Sequence, residues 1–138
     1  MYLVDTDVIS ESRKGAKANA GVQLFFESAR THSSALLLSA VTIGELRRVV
    51  DAVRHRGEKL QSQRLERWLN RVTREFANAI LPIDHETAQI WGRLSVPNRE
   101  NSLDKQIAAI ALIHDLTVVT RNIAGYTTTG VKTLNPFS

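Results

Sequence analysis

The chain has 138 residues, of which 43% are hydrophobic and 23% charged, with a formal net charge of +4. This is the length of a single domain, residues 1–138, with room for a sizeable core, and the composition of an ordinary globular protein. The absence of cysteine excludes disulfides, thiolate zinc sites and a cysteine nucleophile. No apolar run approaches the roughly 18 residues of a spanning helix. Asp5 and Asp7 interrupt any basic-then-apolar leader at once, so the expectation is a cytoplasmic protein with no membrane contact.

In chain order, Tyr2 to Asp5 reads as a short strand and Asp7 to Lys14 as one or two helical turns stopped by Gly15. Asn19 is placed to cap a helix through Arg30, with Val22, Phe25, Phe26 and Ala29 on one face. Ala35 to Ser39 is a continuous apolar run, as buried parallel strands are. A helix then extends to about Arg56, with Ile43, Leu46, Val49, Val50 and Val53 at helical spacing, and Gly57 ends it. Leu65, Trp68, Leu69, Val72, Phe76 and Ala79 mark the stripe of a helix from about Leu60 to Asn78.

Ile80 to Ile83 predicts a third strand, at an edge because of Pro82. Asp84 can cap a helix through Leu94, Ser95 to Asn101 is a loop, and Ser102 or Leu103 opens a helix to Asp115. Thr117 to Thr120 predicts a fourth strand and Val131 to Leu134 a fifth. Strands alternating with helices imply an α/β fold, a three-layer α/β/α sandwich around a parallel sheet of four to five strands.

Three acids sit in apolar settings: Asp5 after Tyr2-Leu3-Val4, Glu45 in the helix after the second strand, and Asp104 in the helix before the fourth. Such acids are costly unless paired, hydrogen-bonded or bound to a cation. In open parallel sheets ligands bind beyond the carboxyl ends of the strands. Asp5, Glu45, Asp104 and Asn122, which follows the fourth strand, can converge on that edge. Mg²⁺ and Mn²⁺ favour such hard oxygen donors, and a carboxylate cluster without its ion is strained or partly protonated. Each acid also has a plainer reading. Asp5 or Asp7 caps a helix, Thr42-Ile43-Gly44-Glu45 forms a capping box, and Asp104 complements a helix N-terminus.

Arg47 to Glu75 holds nine basic residues against four acidic ones. Within it Arg64, Arg67, Arg71 and Arg74 share one stripe at about 100° per residue. This stripe is either a phosphate-binding ridge or a solvated helix face. His32, His55, His85 and His114 show no ligand spacing.

Leu3-Val4-Asp5-Thr6-Asp7-Val8-Ile9-Ser10-Glu11, Ser39-Ala40-Val41-Thr42-Ile43-Gly44-Glu45-Leu46, Asp104-Lys105-Gln106-Ile107-Ala108-Ala109 and Val119-Thr120-Arg121-Asn122 occur in an order that spans nearly the whole chain, with Gly130-Val131 and Leu134-Asn135-Pro136-Phe137 closing it. In these stretches the chain resembles the PIN-domain ribonuclease toxins of the VapC type, close to the FitB-like branch. The resemblance implies the toxin of a toxin–antitoxin pair: a homodimeric endoribonuclease that binds Mg²⁺ or Mn²⁺, hydrolyses RNA and is neutralised by a small antitoxin protein. It implies metal ligands at Asp5, Glu45 and Asp104, a fourth site position, often acidic, at Asn122, and supporting roles for Asp7 and Thr120. Where many relatives carry Asp-Phe this chain has Gly125-Tyr126, which leaves the rim less negative and points to Asp7 for part of the missing charge. Two other readings stand beside this one: a weakened PIN-like module that binds RNA or protein without cutting, and a haloacid-dehalogenase-like phosphatase with Asp5 as nucleophile.

Overall fold

The computed structural model describes Met1–Ser138. Strand and helix alternate along it: β1 (Tyr2–Val4), α1 (Thr6–Ser12), α2 (Ala20–Thr31), β2 (Leu36–Ser39), α3 (Ala40–His55), α4 (Lys59–Glu75), β3 (Ile80–Leu81), α5 (His85–Leu94), α6 (Ser102–Ile113), β4 (Thr117–Val119) and β5 (Thr133–Leu134). Short 3-10 turns lie at Gly15–Lys17 and Ile123–Tyr126. All strand pairs are parallel, in the order β3-β2-β1-β4-β5. The expected α/β/α sandwich is therefore present, and β3 is an edge strand as expected, although it ends at Leu81, before Pro82.

Strand residues alternate between two cores, because successive side chains point to opposite faces. Val4, Leu38 and Val119 join Val8, Val22, Leu46, Val50, Leu69 and Val72 on one side of the sheet. Leu3 and Val118 join Ile107, Ala108, Ile110, Ala111, Leu116 and Tyr126 on the other. The unbroken apolar runs read in the sequence are the mark of strands covered on both faces. The small residues Ala108 and Ala111 of α6 are fully buried in this second core.

Helix starts follow local chemistry. Asn19 accepts from the Gly21 and Val22 amides, Ser39 from Val41 and Thr42, and Asp84 from Thr87. Gly57, at a φ of +84°, turns the chain after α3. The start of α6 is held differently. Asn101 takes a left-handed φ of 57° without a side-chain cap, and the buried Lys105 ammonium donates to the Asn98 carbonyl.

Several boundaries differ from expectation. Helix α1 begins at Thr6, because Asp5 itself is the cap. Helix α4 ends at Glu75, where Phe76 and Ala79 close a turn through an Ala79 N–H···O=C Phe76 bond of 2.7 Å. Thr120 and Val131 lie just outside their strands. The capping-box reading of Thr42 and Glu45 is wrong: Ser39 is the N-cap of α3 and Thr42 is buried inside the helix.

Candidate metal centre

The sheet order reverses around β1, since the chain moves from β1 out to β2 and β3 before returning to β4. Asp5 sits at this switch, one residue past β1, and its amide donates to the Val119 carbonyl of β4 at 2.9 Å. Helix α3 leaves β2 and α6 precedes β4, which brings Glu45 and Asp104 to the same edge. Asp5, Thr6, Asp7, Glu45, Asp104 and Asn122 line one cavity of about 240 Å³ with no hydrophobic residue in its wall. The predicted convergence of Asp5, Glu45, Asp104 and Asn122 is thus present.

Each acid is held by a defined donor. Asp5, 5% exposed, accepts from the Thr6 amide at Oδ1 (2.7 Å) and from the Tyr126 hydroxyl at Oδ2 (2.9 Å). The Thr6 hydroxyl donates to Glu45 Oε1 at 2.7 Å and lies 3.1 Å from the Thr42 hydroxyl. Asn122 Nδ2 donates to Asp104 Oδ2 at 3.0 Å. Asp7 Oδ2 accepts from the Arg121 amide at 3.0 Å, while its Oδ1 is buried without a partner. Thr120 does not line the cavity; its hydroxyl accepts from the Asn122 amide at 3.0 Å and so orients Asn122.

The crowding of carboxylates has an electrostatic consequence. Burial and the negative charges of Asp5, Glu45 and Asp7 push the Asp104 carboxyl up to about 6, against the opposing Asn122 hydrogen bond. Burial and Asp5 raise Asp7 as well. Tyr126 is raised far beyond an ordinary phenol by burial and by Asp5 and Asp104, so its hydroxyl keeps its proton and acts as a donor. Both carboxyl shifts have the direction that clustered carboxylates impose on one another.

The donor set fits a hard divalent cation. It consists of carboxylate, hydroxyl and amide oxygens, and the orphaned Asp7 Oδ1 calls for a proton or a cation. No three acidic or histidine side chains are drawn together closely enough to enclose an ion as they stand.

Two site features escaped the sequence reading. Tyr126 reaches Asp5 across 121 positions from a 3-10 turn that the pattern did not suggest. Thr6 links Asp5 to Glu45 although nothing marked it beyond its place between two aspartates. Gly125 also acquires a definite meaning. A Cβ there would stand 2.2 Å from Asp104 Oδ2 and 2.6 Å from Asn122 Nδ2, so only glycine leaves room for the Asn122–Asp104 pair.

The predicted arginine stripe is a distinct feature. Arg64, Arg67, Arg71 and Arg74 line a cavity of about 460 Å³ together with Trp68 and Asn70. The arginines on the α3–α4 seam are engaged instead. Arg47 forms a bidentate pair with Glu66, at 2.8 and 2.7 Å, and Arg54 reaches both Asp51 and Glu66.

Comparison with known proteins settles the family. Residues 2–124 match the PIN domain. The chain belongs to the PIN-domain family. Full-length relatives include the plasmid stability protein StbB of Pseudomonas syringae pv. tomato and the toxin FitB of Neisseria gonorrhoeae, each 32% identical with 99% of both chains covered. The VapC ribonuclease Y4jK of Sinorhizobium fredii is 28% identical over 99% of this chain and 98% of its own. The crystal structure of FitAcB from N. gonorrhoeae superposes with a TM-score of 0.78 at 31% identity, covering 99% of this chain and 98% of the other. With the PIN fold established, the phosphatase reading of Asp5 has no remaining ground.

Proposed function

We propose that this PIN-domain protein is the toxin of a toxin–antitoxin pair, a single-domain endoribonuclease that hydrolyses RNA with Mg²⁺ or Mn²⁺. The observation that carries the reading is the all-polar pocket at the β1/β4 switch, in which four carboxylates surround a space of about 240 Å³. The full-length similarity to FitB and to the ribonuclease Y4jK supports the activity and the toxin role.

Asp5, Glu45 and Asp104 are the proposed metal ligands, with Asp7 adding charge at the rim. A bound Mg²⁺ or Mn²⁺ supplies charge stabilisation at the phosphodiester being hydrolysed. The chain's residues do the rest. Thr6 and Tyr126 fix the two oxygens of Asp5 in direction, Thr6 at the same time orients Glu45, and Thr120 sets Asn122 against Asp104. Asn122 donates to Oδ2 of Asp104, which leaves Oδ1 as the oxygen free to face the pocket. The free guanidinium groups of Arg64, Arg67, Arg71 and Arg74 offer bidentate contacts to phosphates along the RNA backbone. A second copy of the chain and a small antitoxin are the proposed partners, with exposed Leu24 and Leu60 as apolar contacts for the latter.

The test is cleavage of a broad panel of structured RNAs by the purified protein. Cleavage appears with Mg²⁺ or Mn²⁺, stops in EDTA and is lost in Asp5→Asn. Cleavage that survives in EDTA or in Asp5→Asn refutes the reading. The alternative is an RNA-binding module that does not cut, which Asn122 at an often acidic position favours. RNA binding by the wild type with no cleavage under either ion identifies that case.

A further inference from the structure

A second groove adjoins the acid pocket and shares a wall with it. Its cavity of about 340 Å³ is lined by Val41, Gly44, Glu45, Arg48, Leu103 and Gln106, between α3 and the first turns of α6. Glu45 belongs to both cavities, so whatever lies in the groove is next to whatever lies over the acids. Leu103, 45% exposed, and Val41 give it apolar sides. Arg48 and Gln106 bring donors and an acceptor to it.

Gly44 is the telling residue. It lies in the interior of α3, where glycine costs a helix about 1 kcal/mol relative to alanine. Nothing in the chain explains it. Its φ is not positive, and a Cβ there would meet nothing within 4 Å. Gly92 of α5 is equally open but borders no cavity. The space over Gly44 is open, and it borders the groove whose wall Glu45 shares with the acid pocket.

We infer that this groove is the binding subsite for one nucleobase flanking the cleaved bond. The base lies flat between Val41 and Leu103 over the bare backbone of Gly44. The Gln106 amide, donor and acceptor together, and the Arg48 guanidinium read its edge, as these groups do in nucleic-acid recognition. The inference rests on the ribonuclease reading and deepens it: the acids act on the phosphate and the groove selects where.

The experiment sequences the product ends from a randomised oligoribonucleotide pool cut by wild type, Gly44→Leu, Gln106→Ala and Arg48→Ala, with melting curves and sedimentation for each. Wild type shows a base preference at one position beside the cut. It also cuts a substrate with that base intact roughly ten- to a hundredfold faster than the same substrate made abasic there. Gly44→Leu melts no lower than wild type, because leucine favours an exposed helix position more than glycine does. It cuts intact and abasic substrates at the same rate. Gln106→Ala and Arg48→Ala change the preferred base. An unchanged base preference in all three variants overturns the inference. So does a Gly44→Leu protein whose sedimentation falls to that of a smaller assembly while its base preference persists, which makes the groove a contact between copies. Failure of the wild type to cut any RNA sinks the ribonuclease reading itself, and the groove inference with it, before any variant is compared.

Discussion

Replacing Asp104 by asparagine should stabilise the metal-free protein while abolishing its cleavage activity. The substitution removes one negative charge from the pocket and keeps the shape, and the new amide oxygen can still accept from Asn122, now 3.0 Å from Asp104 Oδ2. An aspartate titrates near 3.9 in an unfolded chain, against about 6 in this fold. At ~1.36 kcal/mol per pH unit that difference is worth ~3 kcal/mol. Asp104 is only half-buried, so solvent screening reduces it to ~1–2 kcal/mol. Because the folded-state value lies above the unfolded one, the carboxyl favours folding most below pH 4, and that contribution is lost as pH rises through about 6. Asp7, also raised, adds in the same direction. Melting curves in EDTA from pH 4 to pH 8 read the effect. The variant and wild type differ little at pH 4, and the variant gains ~3–6 °C at pH 7.5. Taking the difference between the two proteins cancels groups that titrate alike in both. Added Mg²⁺ narrows or reverses the gap, since ligand binding stabilises the wild type more than a variant that has lost one ligand. A variant less stable than wild type at pH 7.5, or a gap that stays flat across the range, refutes the electrostatic account of the pocket.

The remaining predictions test its neutral donors and the basic face. Tyr126→Phe leaves buried Asp5 Oδ2 without the donor now at 2.9 Å and costs ~1–3 kcal/mol in urea unfolding; an unchanged midpoint means that water replaces the hydroxyl. Gly125→Ala places a Cβ 2.2 Å from Asp104 Oδ2, splits the Asn122–Asp104 pair and lowers both cleavage rate and melting temperature by a core-overpacking amount of ~1–3 kcal/mol. Combined Arg67→Ala and Arg71→Ala weakens binding of all single-stranded RNAs alike and lowers the slope of log affinity against log salt by ~1.4. A loss confined to one sequence, or an unchanged slope, removes the ridge from the phosphate path.

The parts of this protein most legible in its sequence are those governed by short-range rules. The caps Asn19 and Asp84 start their helices because their side-chain oxygens satisfy nearby amides. Leu65, Trp68, Leu69 and Val72 are buried on α4 because 3.6-residue spacing puts them on one stripe. The convergence of Asp5, Glu45 and Asp104 was legible for a topological reason, since parallel strands send all their carboxyl ends to one edge. The same rules failed at Glu45's immediate surroundings. Thr42 and Glu45 have capping-box spacing, but the chain had already spent its cap at Ser39, one turn earlier. Contacts that span the fold, such as Tyr126 to Asp5, follow from no local spacing.

Tyr126, Asn122 and Gly125 together set the positions of two of the four acids in the pocket. Two neutral donors each take one oxygen of an acid, Tyr126 on Asp5 and Asn122 on Asp104, and Gly125 clears the space in which the second bond forms. An aspartate at 122 would set a carboxylate against Asp104 at the distance where an amide now donates. That pair would need a proton or a cation to remain in place. The asparagine therefore supplies a hydrogen-bond donor where an aspartate would add negative charge. The two effects oppose each other in Asn122→Asp: tighter or additional metal binding follows from the gained charge, and lower metal-free stability from the lost donor.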